Sequence, residues 1–321
     1  MAVYTVVDDT DLADFLAAYD LGEVLSLAGI AEGVENSNYL LRTDRANYIL
    51  TLYEKRVDPN DLPFFMEVME KLASAGMNCP SPIPATDGSI LQELNGRPCA
   101  VFSFLDGTWS RYPNAQKCRE LGAALAQMHL NTTALERQRP NALGPLSWQP
   151  LFDQVAEQAN QLGAGMKERV QDQLSKIIAD WPSNLPTGVI HADLFPNNVL
   201  FVGDKLTGVI DFYFACDDML AYDVGICLNS WCFDADGSFN LTKSRALING
   251  YESVRPLTND EKNAIPILTA GSAMRFFLTR LYDWIHTPAD ALVSPKDPME
   301  YWSILRFHAS VSGATAYGIG L

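Results

Sequence analysis

Asp193 and Asn198 stand at D-x-x-x-x-N spacing within His191-Ala192-Asp193-Leu194-Phe195-Pro196-Asn197-Asn198, and Val209-Ile210-Asp211-Phe212 follows shortly after. A carboxylate and an amide at that spacing supply what phosphoryl transfer to a hydroxyl needs, with Asp193 to receive the proton and Asn198 to hold a metal ion. Asp211 is then the second metal ligand. This donor set suits Mg2+, a hard cation that takes one or two protein oxygens, keeps waters and completes its shell with nucleotide phosphates. The same residues also fit a plain turn, with Asp193 capping a helix, Asn198 capping a strand and His191 packed in the core, so the neighbouring elements must decide.

Those elements favour chemistry. Residues 199–202 and 206–210 are apolar runs joined by Gly203-Asp204, a strand-turn-strand pattern that brings Asn198 and Asp211 to one mouth of a ribbon. Upstream, residues 11–19 read as a short helix, and 25–30 and 39–42 as a hairpin whose turn-rich tip, with Gly33, Ser37 and Asn38, is placed to cover phosphates. Residues 48–53 read as a third strand, 61–75 as an amphipathic helix with Pro63 in its first turn, and 89–94 and 97–105 as a hairpin turning at Asn95-Gly96. After Asp106-Gly107 the pattern turns helical at 115–131, 149–163, 166–180, 242–253, 258–286 and 296–313. The expectation is an α+β, bilobal protein-kinase-like chain. Its N-terminal nucleotide-binding lobe, 1–102, is a small antiparallel sheet with one main helix, and its C-terminal catalytic lobe, 103–321, is larger and mostly helical.

Size and charge agree with a two-core globular protein: 321 residues, 48% hydrophobic and 19% charged, with no apolar run long enough to span a bilayer. The acidic N-terminus lacks the basic start of a secretory signal, which points to the cytoplasm. A formal net charge of -16 argues against nucleic acid and anionic membrane surfaces as partners. Six scattered cysteines without a C-x-x-C read as reduced packing residues. His129, at the end of its helix, reads as packed or capping, and Trp231, Tyr282, Trp284, Tyr301 and Trp302 as core rather than a cage for a quaternary amine.

Taken together, Ser37-Asn38, the segment 102–107, Leu121–His129, the 191–198 loop, Ile210-Asp211-Phe212 and Tyr222-Asp223-Val224-Gly225 resemble the aminoglycoside-phosphotransferase-like kinases. The stretches 48–65 and 273–283 resemble, more narrowly, the homoserine kinases built on that fold. The resemblance implies ATP and Mg2+ as cofactors and phosphorylation of the side-chain hydroxyl of L-homoserine, a step of threonine biosynthesis. It also implies His191 as a brace for the loop, backbone groups of Ser103 to Leu105 at the adenine edge, and a structural role for Asp223. Relatives carry a Lys or Arg where this chain has Thr51, so Lys55, on the same strand face, is the candidate phosphate clamp, with Arg56 behind it. An amino-acid substrate calls for a cation and an acid, for which Arg275, Arg280 and Asp283 are the candidates, although 275 and 280 leave a regular helix in different directions. Choline, ethanolamine or aminoglycoside kinase, and a nucleotide-binding pseudokinase, remain open on these residues alone.

Overall fold

The computed structural model describes residues 4–31, 36–54, 57–288 and 294–320. They form two compact units: Met1–Gly107 with Leu135–Arg137 and Thr207–Tyr213, and Thr108–Ala134 with Gln138–Leu206 and Phe214–Leu321.

In the first unit, α1 (Asp9–Leu16) begins at Asp8, whose carboxylate accepts the N–H groups of Thr10 and Asp11. β1 (Val24–Gly29), β2 (Ser37–Thr43) and β3 (Asn47–Leu52) run as an antiparallel meander, followed by α2 (Leu62–Ser74) and the strands β4 (Pro82–Ile83), β5 (Gln92–Leu94) and β6 (Arg97–Ser103). The sheet order is β1-β2-β3-β6-β4, with β5 also paired to β6. The β5–β6 turn uses Asn95 and Gly96 at φ 52° and 70°, the two left-handed positions a tight hairpin demands. Register explains the two faces of the sheet. Tyr39, Leu50 and Val101 stand in one cross-strand row and pack with Leu12 and Phe15 of α1, whereas the neighbouring row, on the opposite face, holds Asn38, Thr51 and Ala100.

The second unit holds α3 (Ala115–Asn131), α4 (Pro145–Asp153), α5 (Met166–Ala179), β7 (Thr187–Ile190), β8 (Val199–Val202), β9 (Lys205–Val209, running into the first unit), β10 (Cys216–Met219), α6 (Leu220–Trp231), α7 (Leu241–Glu252), α8 (Asn259–His286) and α9 (Pro298–Ser310). Two departures from the sequence reading stand out. The helix expected over 149–163 is α4, which starts earlier because Pro145 suits a first turn, and it gives way to a separate 3-10 turn at Gln158–Leu162. Asp217 and Asp218, where the sequence signals no element, lie in β10, paired antiparallel to β7. A core of the second unit gathers α4, α5, α6, α8 and α9 around residues such as Trp148, Leu174, Tyr222, Phe277 and Tyr301. Away from it, α3 and α7 touch backbone to backbone: a Cβ on Gly122 would lie 2.0 Å from the Leu247 carbonyl oxygen, and one on Gly250 would lie 2.1 Å from that of Arg119. All six cysteines are free and buried.

Candidate active site

The loop between β7 and β8 carries Asp193, and nearly every polar group along it has a fixed partner. Asp223, on the first turns of α6 and fully buried, accepts the His191 N–H at 2.7 Å on one carboxylate oxygen and the Ala192 N–H at 3.1 Å on the other. Its Oδ2 also lies 3.2 Å from His129 Nε2 of α3. Because a carboxylate oxygen only accepts, His129 donates from Nε2, and its Nδ1 pairs with the Tyr251 hydroxyl of α7 at 2.8 Å. Burial alone would push the Asp223 carboxyl up, but the hydrogen bond and charge of His129, with His191 behind them, hold it below the ordinary carboxylate value.

The loop then turns through Ala192 at φ 63°, left-handed backbone that is costly for a residue bearing a Cβ. The Ala192 carbonyl accepts Nη1 of Arg275 at 2.6 Å, and the Asp193 N–H donates to His191 Nδ1 at 3.3 Å. Asn198 closes the loop, donating from Nδ2 to the Asp193 carbonyl at 2.8 Å and to its carboxylate at 3.3 Å. Between them the Leu194 carbonyl accepts Trp231 Nε1 at 2.8 Å and the Ser230 hydroxyl at 3.3 Å. Asp223 and Ser230 are two helical turns apart, so one face of α6 grips both ends of the loop.

The structure thus brings His191, Asp193 and Asn198 together in the second unit. Asp211 belongs to the first unit and, like Ala192, sits in left-handed backbone, φ 67°. Ala192 and Asp211 are two of four non-glycine residues at positive φ among the described residues, and both fall in the motifs singled out by spacing. With its Nδ2 turned to Asp193, Asn198 presents Oδ1 as an oxygen donor, shared with Asn197 Nδ2 at 3.0 Å. An amide oxygen of this kind is among the hard donors that Mg2+ takes. No cluster of three or more His, Cys, Asp or Glu ligands occurs among the described residues.

The candidates near the nucleotide separate. Ser37 Oγ accepts the N–H groups of Tyr4 and Thr5 and donates to Glu54 at 2.7 Å. Thr51 donates to Asn38 Oδ1 at 2.7 Å across the β2–β3 pair. Ser103 Oγ accepts the Ser81 N–H at 2.9 Å, and Leu105 follows β6, half-buried. Gly33, Lys55 and Arg56 lie outside the described residues. On α8, Arg275 is occupied by the Ala192 carbonyl, while Arg280 points to α9, with Nη1 at 2.6 Å from Glu300 and its guanidinium 4.4 Å above the Tyr301 ring. Tyr301 packs on Phe276 at 5.1 Å and Phe276 on Phe195 at 5.0 Å, so an aromatic pad runs from Arg280 to the catalytic loop. Asp283 is half-buried one turn beyond Arg280. Of the aromatic residues considered for a cage, Trp231, Tyr301 and Trp302 are buried in packing.

Sequence reasoning missed α6 as the loop's support and His129 as its second layer. The signal was present in Tyr222-Asp223, since an acid inside an otherwise apolar run requires buried partners.

A carboxylate with an amide beside it on a braced loop, carried on a protein-kinase-like scaffold, defines an ATP-dependent phosphotransferase. The chain belongs to the phosphotransferase enzyme family (APH), whose model matches residues 26–257. It is 55% identical over 319 residues to a homoserine kinase of Agrobacterium fabrum, covering 99% of each chain. It is 57% identical to one of Sinorhizobium fredii, covering 99% of this chain and 98% of that one. Among solved structures, a spectinomycin phosphotransferase in complex with ADP and spectinomycin superposes with a TM-score of 0.69 at 13% identity over 98% of both chains. A choline kinase from Cryptosporidium parvum does so with 0.66 at 12% identity, over 94% of this chain and 95% of the other. Among the described residues no helix is long and apolar enough to cross a membrane.

Proposed function

We propose that this enzyme transfers the γ-phosphoryl group of ATP to the side-chain hydroxyl of L-homoserine, forming O-phospho-L-homoserine on the way to threonine. The observation that carries the phosphotransfer reading is the Asp193–Asn198 pair, fixed by hydrogen bonds on a loop whose backbone is held from α6 and α8. The acceptor is supported by the homoserine kinases that the chain matches over nearly its whole length.

In this reading Asp193 orients the homoserine hydroxyl and accepts its proton, and His191 sets the Asp193 backbone through Nδ1. Asn198 and Asp211 hold Mg2+, which when bound neutralises charge on the phosphates. Gly33, Ser37, Asn38, Thr51 and Lys55 contact the phosphates, and Ser103 and Leu105 the adenine. Arg280 and Asp283 receive the carboxylate and ammonium of the substrate, the arginine being held in place by Tyr301 and Glu300. The loose transition state of phosphoryl transfer leaves the protein mainly to align groups, so the rigidity of the loop is itself catalytic.

Coupled ADP release over a panel of L-homoserine, L-serine, choline, ethanolamine and an aminoglycoside tests the acceptor. L-homoserine is expected to give the highest kcat/KM. Turnover of choline or the aminoglycoside with none of homoserine overturns the reading, as does silence with every acceptor, which favours a nucleotide-binding module. Asp193→Asn is expected to lower kcat at least about 1000-fold, as expected for a group acting chiefly in the transition state.

A further inference from the structure

We propose that Arg275 is a positioning residue for phosphoryl transfer, acting through the Ala192 carbonyl to aim Asp193, and is not a receptor for the substrate carboxylate. The inference rests on Asp193 being the group that meets the hydroxyl.

Arg275 lies on α8, is 2% exposed, and spends Nη1 on a backbone oxygen one residue before Asp193, at 2.6 Å. Its Nε is fully enclosed with no hydrogen-bond partner among the described residues. Burying a guanidinium is costly unless its surroundings answer the charge. Here they do so from several elements. The face of Phe276 lies 4.5 Å and that of Phe214 6.0 Å from the guanidinium carbon, and the half-buried Asp218 of β10 and the Tyr222 hydroxyl of α6 are within its electrostatic reach. A cation so enclosed has no open fork for a diffusing carboxylate.

What it holds is the one strained step of the loop. With φ at 63°, Ala192 lies where a Cβ is disfavoured, and the peptide would relax if it were free. Asp223 pins its N–H and Arg275 pins its carbonyl, so the residue is clamped on both sides. Were the carbonyl released, the peptide joining Ala192 to Asp193 would rotate, and the carboxylate of Asp193 would swing with it. An error of about 1 Å in a reacting group lowers turnover about 100-fold. Lysine, a point charge on a flexible stem, reaches the same region without the planar fork and holds the carbonyl poorly.

The experiment compares wild type, Arg275→Lys, Arg280→Met and the double variant Ala192→Gly/Arg275→Lys. It measures kcat and KM for ATP and homoserine, thermal unfolding, and ATP hydrolysis without acceptor. R275K is expected to lose about 100-fold in kcat with both KM values within about threefold of wild type, and to lose acceptor-free hydrolysis alike. R280M is expected instead to raise the homoserine KM. The double variant should regain at least about threefold in kcat over R275K, because glycine occupies left-handed backbone without a clamp. Wild-type kcat in R275K, a homoserine KM raised with kcat intact, or no recovery in the double variant overturns the proposal. If R275K fails to fold, restoration of folding by A192G without restored turnover overturns it as well. Absence of homoserine turnover in the wild type would instead sink the acceptor assignment, and acceptor-free hydrolysis would still decide the role of Arg275.

Discussion

Replacing Asp223 with asparagine tests the loop's support with almost no change in shape. The buried carboxylate receives three donors, the N–H groups of His191 and Ala192 and the Nε2 of His129. An amide has one oxygen where the acid had two, so at least one N–H then faces an NH2 group. Hydrogen bonds to a charged group contribute about 1.5–3 kcal/mol each, and removing one partner of a buried charged network costs about 3–5 kcal/mol. D223N should therefore unfold at a temperature lower by about 6–10 °C, taking about 2 °C per kcal/mol, the low end for large domains. The same change frees the loop at its entry, and kcat should fall about 100-fold while KM for ATP changes little. The stability difference also depends on pH. Because the folded carboxyl is held below 3.8, its contribution is complete above that value and disappears as pH falls through the lower folded value. Scanning calorimetry from pH 3 to 8 with the coupled assay at pH 7.5 reads both. A D223N enzyme with wild-type kcat and an unfolding temperature within a degree of wild type would refute the account of the loop.

Gly122→Ala should destabilise the protein by about 3 kcal/mol or more, since its methyl would meet the Leu247 carbonyl oxygen at 2.0 Å and overpacking against backbone is not relieved by rotamer changes; urea denaturation checks this. His308, pushed down to about 3 by burial, bonds Tyr317 and Asn229 and stays neutral when folded. The unfolded chain takes up that proton near 6.5, so stability should fall as pH drops below 6.5, and His308→Gln should reduce that slope by about 1.4 kcal/mol per pH unit. Burial raises the thiols of Cys79, Cys99 and Cys216 to about 12, so a thiol reagent at pH 8 should label the native protein slowly and all six cysteines after denaturation.

Much of the scaffold was legible because its elements carry the right period. The α3 helix over 115–131 emerged with the residues expected, and α2 buries Phe65, Val68, Met69 and Leu72 as the spacing required. The tight turn at Asn95-Gly96 was equally plain, since few sequences tolerate two left-handed positions. By contrast, α6 could not be read: 11 of its 12 residues are buried, so it lacks a polar face and shows no amphipathic period. The site followed the same division. Asp193 and Asn198 announce themselves by spacing, but the partners of Arg275 do not, because its carbonyl acceptor lies 83 positions away and carries no side-chain signature.

The seam between Gly122 and Gly250 reaches further than packing. It sets how near two helices come, and His129 stands on one of them while Tyr251, which orients that imidazole, stands on the other. A methyl group added there would wedge the pair apart and slacken the grip on Asp223, so loss of turnover could be inherited through a change in the hidden rear of the molecule. Surveys of damaging variants that look only at the reacting groups would overlook it.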